Sequence, residues 1–436
     1  MELVKINKIS VNKKDYFSIN GFLDLENLSF QFDLSFEDYF AIFNRPLLFP
    51  LPAMNLYLID ENGKNYSCLE CLLGYKTNSC VSFKNVSINY IFENYIGEKD
   101  NILTDKIIFE TSYPKSYHYG CYINKFKIKY TSQKNIYIDK KIDNSNDKTI
   151  LLFRIESKTK TKREKLDDVL YRVLEIVYLI FGSIPKIEKY IFYVGDDEII
   201  LYQKIADKYF QNLKSGSNDS ALSVISSEVL TADLIKRFIK FRKDTYILYD
   251  VFMTSQNGIG YMEMNNSLLV QLIEGTYITL NNDNKKELWQ ILEYYFLKDN
   301  TIKQILNKKD LKNANDSHNT SIFLLKAKEH RHYLSHFNMN ESKKVFEQLE
   351  NNYAQFKLIL CLRIIYMNYL NIKINQEMLN KLVDSINKWG ERRKIKIWCL
   401  FFVILYFFTP FLIYINVNLH FLWYNYNICI IFELSL

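Results

Sequence analysis

Two hydrophobic periodicities divide the chain. Up to about residue 140, apolar and polar side chains alternate in short runs rich in aromatic and β-branched residues. Examples are YFSINGFLDL from Tyr16, LSFQFDLSF from Leu28, MNLYLID from Met54, CVSFKNVSINYIF from Cys80 and CYINKFKIKY from Cys121. A period of two predicts half-buried strands, and Asn, Asp and Gly clusters such as DENGKN separate them as turns. KKIDNSNDKT, residues 140–149, reads as a polar loop, and ILLFRIE after it as a strand. The period then changes. In REKLDDVLYRVLEIVYLIFG, Leu166, Val169, Leu170, Val173, Val177 and Ile180 recur at helical spacing, with Gly182 placed to cap the C-terminus. KYIFYV and EIILYQ add two strands. One helix packed on a mixed or antiparallel sheet is the simplest arrangement of this half, and binding or sensing is its expected role.

NLKSGSNDSALS, residues 212–223, gathers Ser, Gly, Asn and Asp where periodicity lapses, and so reads as a linker. Beyond it every long run is helical: TADLIKRFIKFRKDTYILYDVF, NNSLLVQLIEGTYITL, NKKELWQILEYYFL, NTSIFLLKAKEHRHYLSHF and ESKKVFEQLENNYAQFKLILCLRIIYMNYL. Long helices with short connections predict an antiparallel bundle. The fold class is therefore α+β, with a β-rich N-terminal domain over 1–212, a linker over 213–228 and an all-α domain over 229–390. Residues 391–436 form an apolar tail. From Ile397 to Phe432 there is no Asp, Glu, Lys or Arg, and ERRKIK stands just before this run. Within it Ile397 to Ile415 is an almost wholly apolar run near the length a membrane helix needs, and the basic flank would keep the preceding chain on the cytoplasmic side. A slipped reading frame in AT-rich DNA gives the same composition, so inner-membrane tether and non-native tail both stand.

Composition narrows the class without choosing a function. The 436 residues are 48% hydrophobic and 24% charged, and the formal net charge is +7. That balance describes folded protein, permits an RNA or phosphate partner and falls short of a nucleic-acid packaging protein. Seven cysteines, an odd number, are scattered without a signal-peptide pattern before them, which favours a reduced, cytoplasmic setting. CLEC at 68–71 has no second pair to complete a zinc site and reads as strand.

One stretch breaks the compositional rule. The chain has six histidines, and three of them, His330, His332 and His336, lie in KAKEHRHYLSHFN with Arg331. On a helix turning about 100° per residue, Phe323, Ala327, His330, Leu334 and Phe337 form one core-facing stripe. His330 is thus a core histidine. Arg331, His332, Ser335 and His336 share an arc roughly opposite. Three readings compete for that arc: a structural surface cluster, a metal site on His332 and His336 at i, i+4, and acid–base chemistry on phosphate. The metal reading lacks a third ligand nearby, so no metal and no other cofactor is assigned. Histidine moves protons near neutral pH, and a guanidinium grips a phosphate whose charge grows in the transition state. RNA supplies its own nucleophile, the 2′-OH. Arginine plus histidine without acidic metal ligands therefore suits metal-independent RNA cleavage.

RHYLSH, Arg331 to His336, resembles the R-x4-H form of the motif of HEPN domains, including their preference for a polar residue after the arginine. With LLVQLIEGTY upstream and a β-rich half before it, the layout resembles the ApeA-like family of bacterial anti-phage HEPN proteins over about residues 1–390. The apolar tail departs from that pattern. The resemblance implies an abortive-infection endoribonuclease acting as a homodimer, with two motif helices forming one composite site and a phage-derived trigger sensed by the N-terminal domain. It assigns Arg331 to the scissile phosphate, His336 to proton transfer and His332 to orienting them, with Ser335 in support. Glu274 in QLIEG resembles a family glutamate that steadies the arginine; from the residues alone it is an exposed helix glutamate. The alternative is a non-catalytic HEPN-like protein whose helical domain only dimerises.

Overall fold

The computed structural model describes residues 3–11, 13–43, 53–73, 76–77, 81–95, 102–114, 125–143, 148–182, 186–203, 221–223, 225–255, 262–313, 321–336 and 345–387. For a few of these, among them 334–336, it describes the backbone alone. Residues 1–382 form one compact unit and 383–436 a second, of which 383–387 are described as the end of a helix over 376–387. The tail from Ile397 lies outside the described residues. Among the described residues no helix is long and apolar enough to cross a membrane.

Among the described residues the N-terminal half forms one sheet of 14 strands, every pair antiparallel. Numbered along the chain, its strands follow in spatial order. First come β10 (Phe126–Lys129), β11 (Lys134–Asp143), β12 (Lys148–Lys162), β9 (Leu103–Pro114), β13 (Lys186–Val194) and β14 (Asp197–Gln203). Then come β8 (Tyr90–Glu93), β5 (Asn65–Cys71), β4 (Met54–Asp60), β1 (Leu3–Ser10), β2 (Phe17–Asp24), β3 (Ser29–Leu34), β7 (Val81–Ser87) and β6 (Lys76–Thr77). The expected loop at 140–149 is shorter than its composition implies, because β11 runs to Asp143 and β12 starts at Lys148. Ten consecutive cross-strand pairs, Lys134↔Ser157 to Asp143↔Lys148, carry the polar residues into the ladder. Of the expected linker, residues 221–223 and 225–228 are described, and Leu222 and Ile225 are fully buried.

CLEC lies on β5, where Met54 pairs with Cys71 and Leu56 with Cys68. The register slip between them is a bulge, and Glu70 has φ of 56°. In a regular strand, residues three apart point to opposite faces. The bulge turns both thiols into the core, where Cys71 Sγ donates to Cys68 O at 3.2 Å. Burial raises both groups, Cys71 to about 12, so each sulfur remains a thiol.

Helix α1 (Phe36–Phe43) packs near β3, and α2 (Arg163–Phe181) lies across β9 and β12. All six residues of the predicted α2 stripe are buried, and so are Leu174, Ile176 and Leu179. A helix apolar on both sides is covered on both sides. The sheet meets one, with Tyr171 edge-on to Phe109 at 6.0 Å, and the helical region meets the other. That region comprises α3 (Ala232–Asp244), α4 (Tyr246–Ser255), α5 (Met262–Asn281), α6 (Leu288–Glu293), a π-helical turn at Tyr294–Lys298, α7 (Asn300–Lys303), α8 (Ile322–His336) and α9 (Gln348–Tyr369). The single helix expected over 231–252 is broken at Thr245, whose φ of −114° and ψ of 21° end α3.

Two arginines bind α2 to the helices. Gly182 ends α2 at φ 71°, a left-handed conformation that glycine adopts without strain. Arg363 of α9 then donates through Nε and Nη2 to Leu179 O, at 3.1 and 3.0 Å, and through Nη2 to Ile180 O at 3.0 Å. These are carbonyls that a helix terminus leaves open. A Cβ on Gly182 would lie 2.3 Å from Arg363 Nη1, so the guanidinium occupies the space a side chain would need. One turn earlier, buried Glu175 pairs with Arg172 of its own helix and with Arg242 of α3 at 3.3 Å. Arg242 also reaches Asp250 of α4 at 2.6 Å and lies over the Tyr249 ring at 4.6 Å.

Candidate active site

Helix α8 carries the motif. Ser321 precedes it, and its Oγ accepts from Leu324 N at 3.4 Å while its carbonyl accepts from Leu325 N at 3.0 Å. Phe323, Leu324 and Ala327 are buried, and the Phe323 ring sits 5.5 Å from Phe296 and 5.4 Å from Phe346. His330 is 1% exposed, with its ring 5.5 Å from that of Phe346, and thus belongs to the packed face.

The described part of the arc expected to face away from the core, Arg331 and His332, is half-buried. Arg331 and His332 are both only partly exposed, and α8 is flanked by α5 and α6. Arg331 turns toward α5, where Nη2 meets Glu274 Oε2 at 3.4 Å, with the two side chains 27% and 24% exposed. Glu274 is therefore an ion-pair partner of the motif arginine rather than a solvated helix glutamate. Its neighbour Gly275 lets α4 approach, since a Cβ there would stand 3.0 Å from Leu248 Cδ2. Arg331 Nε is buried without a hydrogen-bond partner among the described residues. One edge of the guanidinium is held by carboxylate, and a further donor is withdrawn from water. Such a group favours an anion that brings its own acceptors.

Ser335 and His336 lie on the described backbone of α8, but their side chains fall outside the described residues, as does that of Leu334. The structure thus brings together Arg331 and Glu274, places His332 one residue on, and leaves the side-chain geometry of His336 aside. Among the described residues no group of three His, Cys, Asp or Glu side chains is arranged to hold a metal ion.

Several residues that hold α8 in place escaped the sequence reading. Buried Asn266 of α5 donates to Asn351 O at 2.9 Å and Asn351 Oδ1 at 3.0 Å, and Asn351 Nδ2 donates to Phe346 O at 3.3 Å. This chain of bonds positions the Phe346 ring against His330. Asn265 and Asn266 are poor helix formers within a helix, and that was the available signal; an Asn-rich composition concealed it. Lys326 pairs with Glu350, tying α8 to the first turn of α9. Glu329, also buried, meets Lys328 at 3.4 Å.

Near the start of α8 lies a second buried cluster. Lys357 of α9 is fully buried, pairs with Asp310 and stands over the Tyr353 ring at 3.9 Å and the Phe323 ring at 5.5 Å. Burial lowers Lys357 to about 8, against the opposing pull of Asp310. Asp310 also accepts from Asn307 N at 2.8 Å. No family model, no curated protein and no solved structure matches this chain.

Proposed function

We propose that the chain is a metal-independent endoribonuclease of the HEPN type, similar to ApeA-like anti-phage proteins, and that it acts in abortive infection. The observation that carries this reading is Arg331, held by Glu274 across two helices on the same helix that bears His332 and His336. In this reaction the 2′-oxygen attacks phosphorus and the bond to the 5′-oxygen breaks. A base takes the 2′ proton, an acid returns one to the leaving oxygen, and the products are a 2′,3′-cyclic phosphate and a 5′-hydroxyl. Arg331 stabilises charge on the non-bridging oxygens, His336 transfers the proton and His332 orients the pair, with Ser335 beside them. The site is shared between two copies of the chain, whose RHYLSH segments face each other across a two-fold axis. A phage-derived trigger acts on the sheet-bearing half. The protein works in the cytoplasm, and the stretch 397–432, where it is native, adds a membrane contact.

The test is cleavage of a labelled single-stranded RNA in EDTA. Arg331→Ala and His336→Ala should each lower the rate roughly 100- to 10,000-fold, with folding intact. A 2′-O-methyl sugar at the scissile position should block the reaction. Activity that disappears with chelator and returns with zinc would overturn the assignment in favour of a metal site on His332 and His336.

A further inference from the structure

The face of the sheet turned away from α2 carries an ordered set of side chains that no step of the proposed reaction uses. Phe109 points toward α2, so its neighbours on β9, Ile108 and Glu110, point the other way. Register places Lys127, Tyr137, Arg154, Ile108 and Ile191 in one row across β10, β11, β12, β9 and β13, with the two isoleucines buried and the polar side chains reaching solvent. In that row Tyr137 is flanked by two cations, Lys127 Nζ at 5.1 Å and Arg154 Cζ at 4.3 Å from its centroid. In the adjacent row Lys106 Nζ lies 4.3 Å from the Tyr193 ring. Both tyrosines are partly exposed. Strands lie about 4.8 Å apart, so the two rings, three strands apart, stand roughly 15 Å from each other.

The charge on this face is uneven. Of its carboxylates, Asp139 pairs with Lys125 at 3.2 Å, Glu156 with Arg154 at 3.3 Å, and Glu198 with Lys189 at 3.3 Å and the Tyr193 hydroxyl at 3.1 Å, while Glu110 stands opposite Lys189 in register. Among the described residues Lys106, Lys127, Lys129 and Lys158 have no carboxylate within ion-pair distance on this face. Flat π surfaces set among unneutralised cations fit a polymer of flat bases on a chain of anions. An aromatic ring or a guanidinium stacks on any base, and lysines follow the phosphates. A duplex hides its base faces and could not use the rings.

We propose that the outer face of β10, β11, β12, β9 and β13 docks single-stranded RNA, with bases stacked at Tyr137 and Tyr193 and phosphates along Lys106, Lys127, Lys129 and Lys158. The choice of RNA rests on the nuclease reading; the stacking surface does not. It gives the sheet-bearing half a hold on substrate separate from the Arg331 site.

Fluorescence anisotropy of a labelled oligouridylate, titrated at several salt concentrations with full-length Arg331→Ala protein, tests the surface without cleavage. In that background Tyr137→Ala and Tyr193→Ala should each weaken binding about 5- to 150-fold, and Tyr137→Phe should restore it. Lys127→Ala should reduce the slope of log affinity against log salt by roughly 0.7. Thermal melts verify folding, and where an alanine variant is unstable Tyr137→Leu, which keeps apolar bulk but removes the π face, should weaken binding in its place. Unchanged affinity in folded tyrosine variants, or equal competition by a blunt duplex, overturns the proposal. Absence of cleavage by the parent chain, with binding still lost in the tyrosine variants, removes the nuclease reading and leaves the surface. Cleavage dependent on Arg331, with tyrosine variants binding normally, removes the surface alone.

Discussion

Replacing Arg363 by methionine isolates what the guanidinium does at the end of α2. The stem is retained, so little packing is lost, while three donor contacts to Leu179 O and Ile180 O disappear. Ile180 O keeps the amide of Leu222 at 2.8 Å, so Leu179 O bears the main loss. A buried acceptor stripped of its donor costs about 1–3 kcal/mol, and a hydrogen bond to a charged group contributes about 1.5–3 kcal/mol. Against this, methionine needs no desolvation of charge. Burial brings Arg363 down to about 10, which leaves it protonated at neutral pH but penalised. The balance favours the arginine by about 2–4 kcal/mol. Gly182→Ala attacks the same contact from the other side, through its positive φ and a Cβ that would overlap the guanidinium. Left-handed backbone costs a non-glycine residue about 1–2 kcal/mol, and displacing Arg363 adds to it. The double variant should therefore cost less than the sum of the two single ones, with a coupling of at least about 1 kcal/mol. Urea unfolding followed by near- and far-ultraviolet circular dichroism measures all three. Strict additivity, or a loss below about 1 kcal/mol for Arg363→Met, would refute the clamp.

Two further outcomes follow from buried ionisable groups. Lys357 titrates near 8 in the folded chain and at the ordinary, higher lysine value when unfolded, so above pH 8 the unfolded state binds more protons. Stability should then rise from about pH 8 toward pH 10 through this group, and Lys357→Met should remove that rise in urea midpoints measured across the range. His330→Ala should lower stability by about 1–3 kcal/mol while leaving the cleavage rate of folded protein nearly unchanged, because the ring packs on Phe346 and faces away from the motif arc; a large rate loss without destabilisation would contradict this.

The order of elements was legible wherever one face of an element is dry and the other wet. Strand β3, with Phe30, Phe32 and Leu34 buried and Gln31 and Asp33 exposed, followed directly from period two. β9 was missed because Ile107, Ile108 and Phe109 are buried on both sides, which removes the alternation. β12 was underestimated because its last six residues, SKTKTK, are polar on both faces. The extra apolar face of α2 announced a second packing partner, but periodicity cannot say which. At the site, motif spacing led to Arg331, and the wheel placed His330 in the core. The wheel by itself could not bring Glu274 to the arginine, since crossing of helices depends on contacts remote in sequence; that partner was expected only from the family resemblance. Nothing in the sequence singles out Arg363 or Lys357 among the many charges of a lysine-rich chain; only packing shows that they are enclosed.

The strand order has a consequence for the birth of the chain. Strands β1 to β8 are contiguous in space, as are β9 to β14, and the two groups join where β14 meets β8. At that seam Tyr202 donates to Glu93 at 3.0 Å from 109 residues further along the chain. Pairing within each group closes shorter loops than the seam does, so during synthesis the first group can zip soon after it emerges and then waits with β8 as a bare edge. An unpaired edge is a template for another chain. Nascent chains halted before residue 197 should therefore self-associate through β8, and chains extended past Gln203 should not, a difference that ribosome-stalled lengths would display directly.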